Sequence, residues 1–305
     1  MPLLKRERAL SERGCELFNV CYGNTVEIKQ PRRSSCIPRV NFKNIFQTLM
    51  TSEFDTKLIE HEKKMKKATE KMFCFLENKK RKHIGKLINN AMTNLIIFTL
   101  TDGEKIHNKQ KIKMNMAFYI NLAGKLYDKG DHHSAIIIRG ALSSLHIERI
   151  GIKLKERQLE IFNQFENEYG TFLNMHSGHL KKILENNDYE RFYPSLMVLM
   201  MHLNKTKEYA KSYESIGKFP KKLRDKEKQL EVIADKYYNK YKNTNELLLE
   251  LYNTDPLDHP IMQDYGCYKD SSISQALHEI SCQVQKASKK HPMLKRTKKL
   301  KRKSI

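Results

Sequence analysis

The stretch YPSLMVLMMHLNKTKEYAKSYESIGKFPKKLRDKEKQLEVIADKYYNKYKN, residues 193–243, decides the fold. Its opening part, Pro194–Tyr209, places Leu196, Met197, Leu199, Met200 and Leu203 at helical spacing, then turns polar at Asn204-Lys205-Thr206-Lys207-Glu208. A turn containing Gly217 and Pro220 follows. Lys221–Tyr241 then carries Leu223, Leu230, Ile233, Tyr237 and Tyr241 on one stripe, with Lys, Asp and Glu elsewhere. Two helices joined by a short loop pack antiparallel. The spacing therefore predicts a hairpin with one anchored face and one charged tip, a shape suited to acting on a partner.

The same helical period runs outward from this stretch in both directions. It predicts helices over Lys57–Lys82, Ile84–Leu100, Lys111–Asp128, Ser134–Leu142, Lys155–Tyr169, Leu173–Glu185, Thr244–Tyr252 and Ser272–Val284. Gly130 is a fitting stop and Asp131 a fitting cap between two of them. Strand alternation does not persist beyond four or five residues, and there is no convincing internal repeat. The fold class expected is all-α, with about ten helices. Residues 1–44 show weak periodicity and read as a poorly ordered extension, residues 45–288 as the helical domain, and residues 289–305 as a disordered basic tail.

The formal charge of +22 over 305 residues suggests nucleic acid until it is mapped. The last seventeen residues hold nine Lys/Arg and no acid, residues 1–44 contribute +5, and only +8 remains for positions 45–288. The tail is thus expected to contact polyanions loosely, whether anionic membrane, RNA or an import receptor. No run of eighteen apolar residues predicts a membrane span, and the first residues lack the apolar stretch of a secretory signal. The six cysteines, at 15, 21, 36, 74, 267 and 282, form no CxxC pair, so they read as reduced cytoplasmic thiols rather than zinc ligands.

Signatures of covalent catalysis are missing. Neither GxxxxGK[ST] nor GxGxxG cradles phosphate, no HExxH holds a metal, and no GxSxG elbow presents a serine. His132, His133, Ser143 and His146 read as turn and cap residues, and the run Met197, Met200, Met201 as core filling. From the residues alone, the chain is a helical interaction protein that uses no cofactor and no metal.

Four ordered blocks add a resemblance. Asp131-His-His-Ser-Ala-Ile-Ile-Ile-Arg-Gly-Ala-Leu-Ser-Ser-Leu-His-Ile-Glu-Arg-Ile150 resembles the NNFNxxxxIxxxLxxxxVxRL run of the catalytic domain of Ras-type guanine-nucleotide exchange factors. Met114–Leu126 is similar to that family's FIxIAxxLxxLxNF lead-in. Ile88–Leu100 looks like its FNxxSxWVxxxIL block, keeping Asn89 and putting Asn94 in place of Trp. Leu49–Phe54 matches the opening LTxxEF. In the same register, Pro194 falls on the proline that begins the family's catalytic hairpin, and Lys226–Asn243 falls on its return helix.

The resemblance implies a helical bowl that grips switch II of a small GTPase, with a protruding hairpin that displaces switch I. It also implies an apolar residue in the magnesium site and a carboxylate one turn later against the α-phosphate. Residue by residue, Glu208 falls on the carboxylate position and Asn204 on the apolar plug, with Leu203 beside it. The GTPase-binding positions fall on Ser143, Glu148, Arg149, Leu180 and Ser195. Several depart from the family: Ser195 stands for Phe, Leu180 for Tyr, Ser143 for Asn, and Asn204 is polar. Arg149 reads as a structural salt-bridge or cap residue rather than a GTPase contact, and Asn89 as a buried amide rather than a catalytic group. The expected function is nucleotide exchange on a Ras-family GTPase without covalent chemistry. An exchange-inactive GTPase-binding scaffold and a basic nucleic-acid-binding helical protein remain the alternatives. The compact Lys/Asn/Ile-rich chain would suit a bacterial effector or a protist protein.

Overall fold

The protein is described by a computed structural model over residues 54–77, 80–170, 174–217, 220–243 and 250–285. The N-terminal extension, the Leu49–Glu53 part of the first block, the start of the Thr244–Tyr252 helix and the basic tail lie outside the described residues. Within them the architecture is all-α. Isolated bridges at Thr101–Ile106 and Asp131–Tyr193 are the extended pairings, and neither grows into a strand.

Helix α1 spans Phe54–Met72. It stops ten residues before the Lys82 expected from its charge pattern, because the chain tightens into a 3₁₀ turn at Phe73–Leu76. In a three-residue repeat, side chains three apart eclipse, so Phe73 and Leu76 both turn into the core. Helix α2, Arg81–Leu100, is the central element. Ile84, Ile88, Ala91, Leu95 and Phe98 bury one side of it, and Ile96, Ile97 and Leu100 another. Its buried amides are Asn90 and Asn94, not Asn89, which is exposed. Where the family has Trp, Asn94 Nδ2 donates to the carbonyls of Leu251 and Thr254 at 2.9 Å, and its Oδ1 pairs with His259 at 2.8 Å. That amide ties a short segment more than 150 residues away to the centre of the molecule.

Helix α3, Lys109–Asp128, starts on an Asn108 cap that accepts from Lys111 N at 2.9 Å. It ends at Gly130, and Asp131 caps α4, His132–Leu142, as the sequence predicts. A four-residue helix α5, Leu145–Glu148, and then α6, Glu156–Tyr169, follow. Helix α6 lies across α3 and α4, close enough at Gly124 that a Cβ there would sit 3.4 Å from Ile161. The expected Leu173–Glu185 helix is instead a π turn at Asn174–Gly178 leading into α7, His179–Glu185.

The hairpin helices are α8, Leu196–Ser215, and α9, Lys221–Tyr241. Helix α8 runs six residues past the predicted Tyr209, since Lys, Glu, Ala and Tyr are all compatible with continued helix in water. Short helices α10, Glu250–Asn253, and α11, Pro260–Asp264, lead to α12, Asp270–Val284. No described helix is long and apolar enough to cross a membrane.

Candidate functional site

The root of the hairpin is built from five separate segments. Gly130, at φ +79°, lies so close to the Arg191 carbonyl oxygen that a Cβ would come within 1.8 Å of it. This approach lets Tyr193 N donate to Gly130 O at 2.8 Å and His133 N donate to Tyr193 O at 3.2 Å. Two imidazoles then cap the start of α8: His179 Nε2 accepts from Ser195 N at 3.0 Å, and His133 Nδ1 accepts from Leu196 N at 3.3 Å. These are amides that a helix N-terminus leaves without backbone partners. The capping geometry requires neutral rings, and burial depresses His133 to about 3.

Beneath the caps lies Asp131, fully buried. It accepts from Ser134 N and Thr69 Oγ1, both at 3.0 Å, and burial nonetheless pushes its carboxyl up to about 7. Aromatic rings close the joint from the α9 side. Phe73 stacks on Tyr237 with centroids 4.4 Å apart, Tyr237 OH donates to Phe192 O, and Tyr193 OH donates to Glu70 at 2.7 Å. The Asp131-His-His stretch and the Tyr193-Pro-Ser stretch are thus two sides of one junction.

Beyond the root the two helices hold each other. Lys207 pairs with Glu231, and Arg224 pairs with both Glu214 and Glu227 at 2.6 Å. Every residue from 211 to 217 is exposed. The inner face of α8 carries Leu196, Leu199, Leu203, Thr206 and Ala210, all buried. The outer face carries Met197, Met201, Asn204 and Glu208 in one row, at spacings of four, three and four residues.

Asn204 and Glu208 are exposed, and Glu208 forms no ion pair with a described residue. The other residues singled out from the sequence have different surroundings. Leu203 has no exposed surface, Leu180 is buried in α7, and Ser195 is a buried cap whose Oγ accepts from Val198 N. Burial removes these three side chains from any partner-facing surface in this conformation. Ser143 Oγ donates to Glu166, which also takes Arg139 at 2.6 Å, so it joins α4 to α6. Arg149 Nη1 donates to Ser281 Oγ at 2.9 Å and thereby ties the end of α5 to α12; Glu148 beside it is exposed. These bonds link Ser143 and Arg149 to α6 and α12 rather than to the hairpin.

No family model and no curated protein matches this chain. The site has therefore to be read from its own chemistry. Among the described residues no group of three or more His, Cys, Asp or Glu side chains could hold a metal ion. A shallow polar depression on α6 and α7, lined by Glu160, Asn163, Gln164, Asn167, Glu168 and Lys182, is floored by the Lys182–Glu168 ion pair. Its acidic rim offers nothing to a phosphate.

Sequence reasoning missed two features of the site. Met201 is half-exposed beside Asn204 rather than core filling, whereas Met200 is buried as expected. A helical wheel of α8 could have separated them. The second is the role of His133 and His179 as caps, for which no local signal exists, because the partners are more than fifteen residues away.

Proposed function

We propose that this chain promotes guanine-nucleotide release from a Ras-family small GTPase by pressing the outer face of α8 against the nucleotide site. The observation that carries the reading is the hairpin itself: a two-helix arm rooted at the Asp131 junction, with Asn204 and Glu208 exposed side by side on its outer face. A carboxylate brought near a phosphate raises the cost of keeping the nucleotide, as does loss of the bound magnesium. Met201, three residues before Asn204, gives this surface the apolar contact that Asn204 lacks. The nucleotide-free GTPase is populated only because the arm binds it better than the loaded form, so differential binding does all the work. The test is release of a fluorescent guanine nucleotide from Ras, Rap and Ral relatives. Acceleration of at least one is expected, with Glu208→Ala slowing it about tenfold or more, equivalent to roughly 1.4 kcal/mol. No acceleration across the panel would sink the exchange reading.

A second reading, GTPase binding without exchange, is favoured by the same residues. The polar Asn204, on which the resemblance puts the plug, is exposed, while the apolar Leu203 is buried. It predicts capture of a GTPase with an unchanged rate of nucleotide release.

A further inference from the structure

Helix α8 carries a second outer row, closer to the tip. Tyr209, Tyr213 and Ile216 are 57%, 46% and 64% exposed. Spacings of four and three residues align them on one stripe, roughly 110° around the helix from the Asn204–Glu208 row. Lys221 and Lys222, which open α9 shortly after Ile216, are exposed and form no ion pair with a described residue, whereas Lys211 projects from the opposite flank of α8. The tip's one arginine, Arg224, is engaged by Glu214 and Glu227, which leaves Lys221 and Lys222 available beside the exposed carboxylate of Asp225.

Two kinds of occupant could cover such a surface. A stable protein interface needs about 800 Å² from each side; its anchors favour Tyr and Arg and its composition disfavours Lys. Here only three large exposed side chains lie beside a turn, the arginine is committed, and the remaining cations are lysines. A bilayer surface requires less. Tyrosine places its ring at the headgroup level with its hydroxyl in water, isoleucine enters the acyl boundary, and each lysine near an anionic surface multiplies affinity about fivefold. The small exposed apolar area and the lysine chemistry both favour lipid.

We propose that the hairpin tip docks on an anionic phospholipid bilayer through Tyr209, Tyr213 and Ile216, with Lys221 and Lys222 against the headgroups. The proposal does not depend on nucleotide exchange, since neither Asn204 nor Glu208 takes part. It would orient the arm with its tip at the membrane and its Glu208 row facing sideways.

The chain contains no tryptophan, so Tyr213→Trp introduces a single fluorophore at the tip of the full-length protein. Its emission should shift to the blue with vesicles of phosphatidylcholine mixed with phosphatidylserine, and not with phosphatidylcholine alone. In co-sedimentation with the mixed vesicles, the Tyr209→Ser/Ile216→Ser and Lys221→Glu/Lys222→Glu variants should each lose about tenfold or more in affinity. If the protein sediments with vesicles while the emission stays put, residues 289–305 account for the binding and the proposal is overturned. It is equally overturned if the emission moves on adding a small GTPase but not on adding vesicles. Should a double variant lose helical circular dichroism, the fluorescence result decides.

Discussion

Replacing Leu203 with alanine removes a side chain with no exposed surface and should cost about 2–5 kcal/mol of stability. Asn204→Ala and Glu208→Ala, on exposed neighbours, should each stay within about 0.5 kcal/mol. Urea midpoints of the three variants measure the difference. The contrast bears directly on function, because loss of activity in Leu203→Ala would report unfolding, whereas loss in Glu208→Ala would report the surface. A comparable loss of stability in all three would mean that the outer face of α8 is packed against something. Asn94 makes a related point about reading single residues. Out of context it looks like a departure from the apolar pattern of α2, and its three hydrogen bonds to the α10 and α11 region show why a polar side chain is retained at zero exposure.

At the level of elements, two glycines with similar backbones should respond very differently to substitution. Gly130 and Gly217 have φ of +79° and +72°. A Cβ on Gly217 would meet nothing within 4 Å, so Gly217→Ala should cost only the left-handed penalty, roughly 1–2 kcal/mol. A Cβ on Gly130 would strike the Arg191 carbonyl, so Gly130→Ala must push the hairpin root apart and should cost on the order of 3 kcal/mol or more. Thermal melts of the two variants compare them, and equal shifts would show that the 130–193 junction is looser than its hydrogen bonds suggest. The pattern of elements was largely legible in the sequence, since helix periodicity and the Gly130 and Asp131 signals are local. The 3₁₀ turn at Phe73–Leu76 and the π turn at Asn174–Gly178 were not, because distant packing, such as Phe73 on Tyr237, favours them over continued helix. For the candidate site, periodicity separated the faces of α9 but left Leu203, Leu180 and Ser195 with partner-facing roles. Only the direction in which each side chain points reveals otherwise.

For the molecule as a whole, the buried imidazoles set how stability depends on pH. Desolvation depresses His61, His107, His132 and His259 to about 4 and His133 to about 3. Below the ordinary value of about 6.5 the unfolded chain takes up protons that the folded one refuses. Each of these groups therefore contributes stability above that pH, which is lost as pH falls towards 4. Asp131, raised to about 7, acts in the opposite sense: its folded form gains a proton between pH 7 and 4 that the unfolded form does not. Five histidines outweigh one carboxyl. The urea midpoint should accordingly drop steadily from pH 6.5 to 4, and a flat profile would contradict the burial of these rings.

The hairpin joint also has a mechanical side. Helix α8 is 20 residues long, about 30 Å at 1.5 Å per residue, and the clamps described above are gathered at one end of it. An arm held in this way behaves as a cantilever. A tilt of about 10° at Gly130 and Asp131 would swing Ile216 by roughly 5 Å, while the row from Met201 to Glu208, nearer the fulcrum, would travel only about a quarter to three-fifths as far. Small adjustments among Thr69, Asp131 and the two capping imidazoles are therefore geared up along the arm, and any load applied at the tip is returned to those same few buried hydrogen bonds.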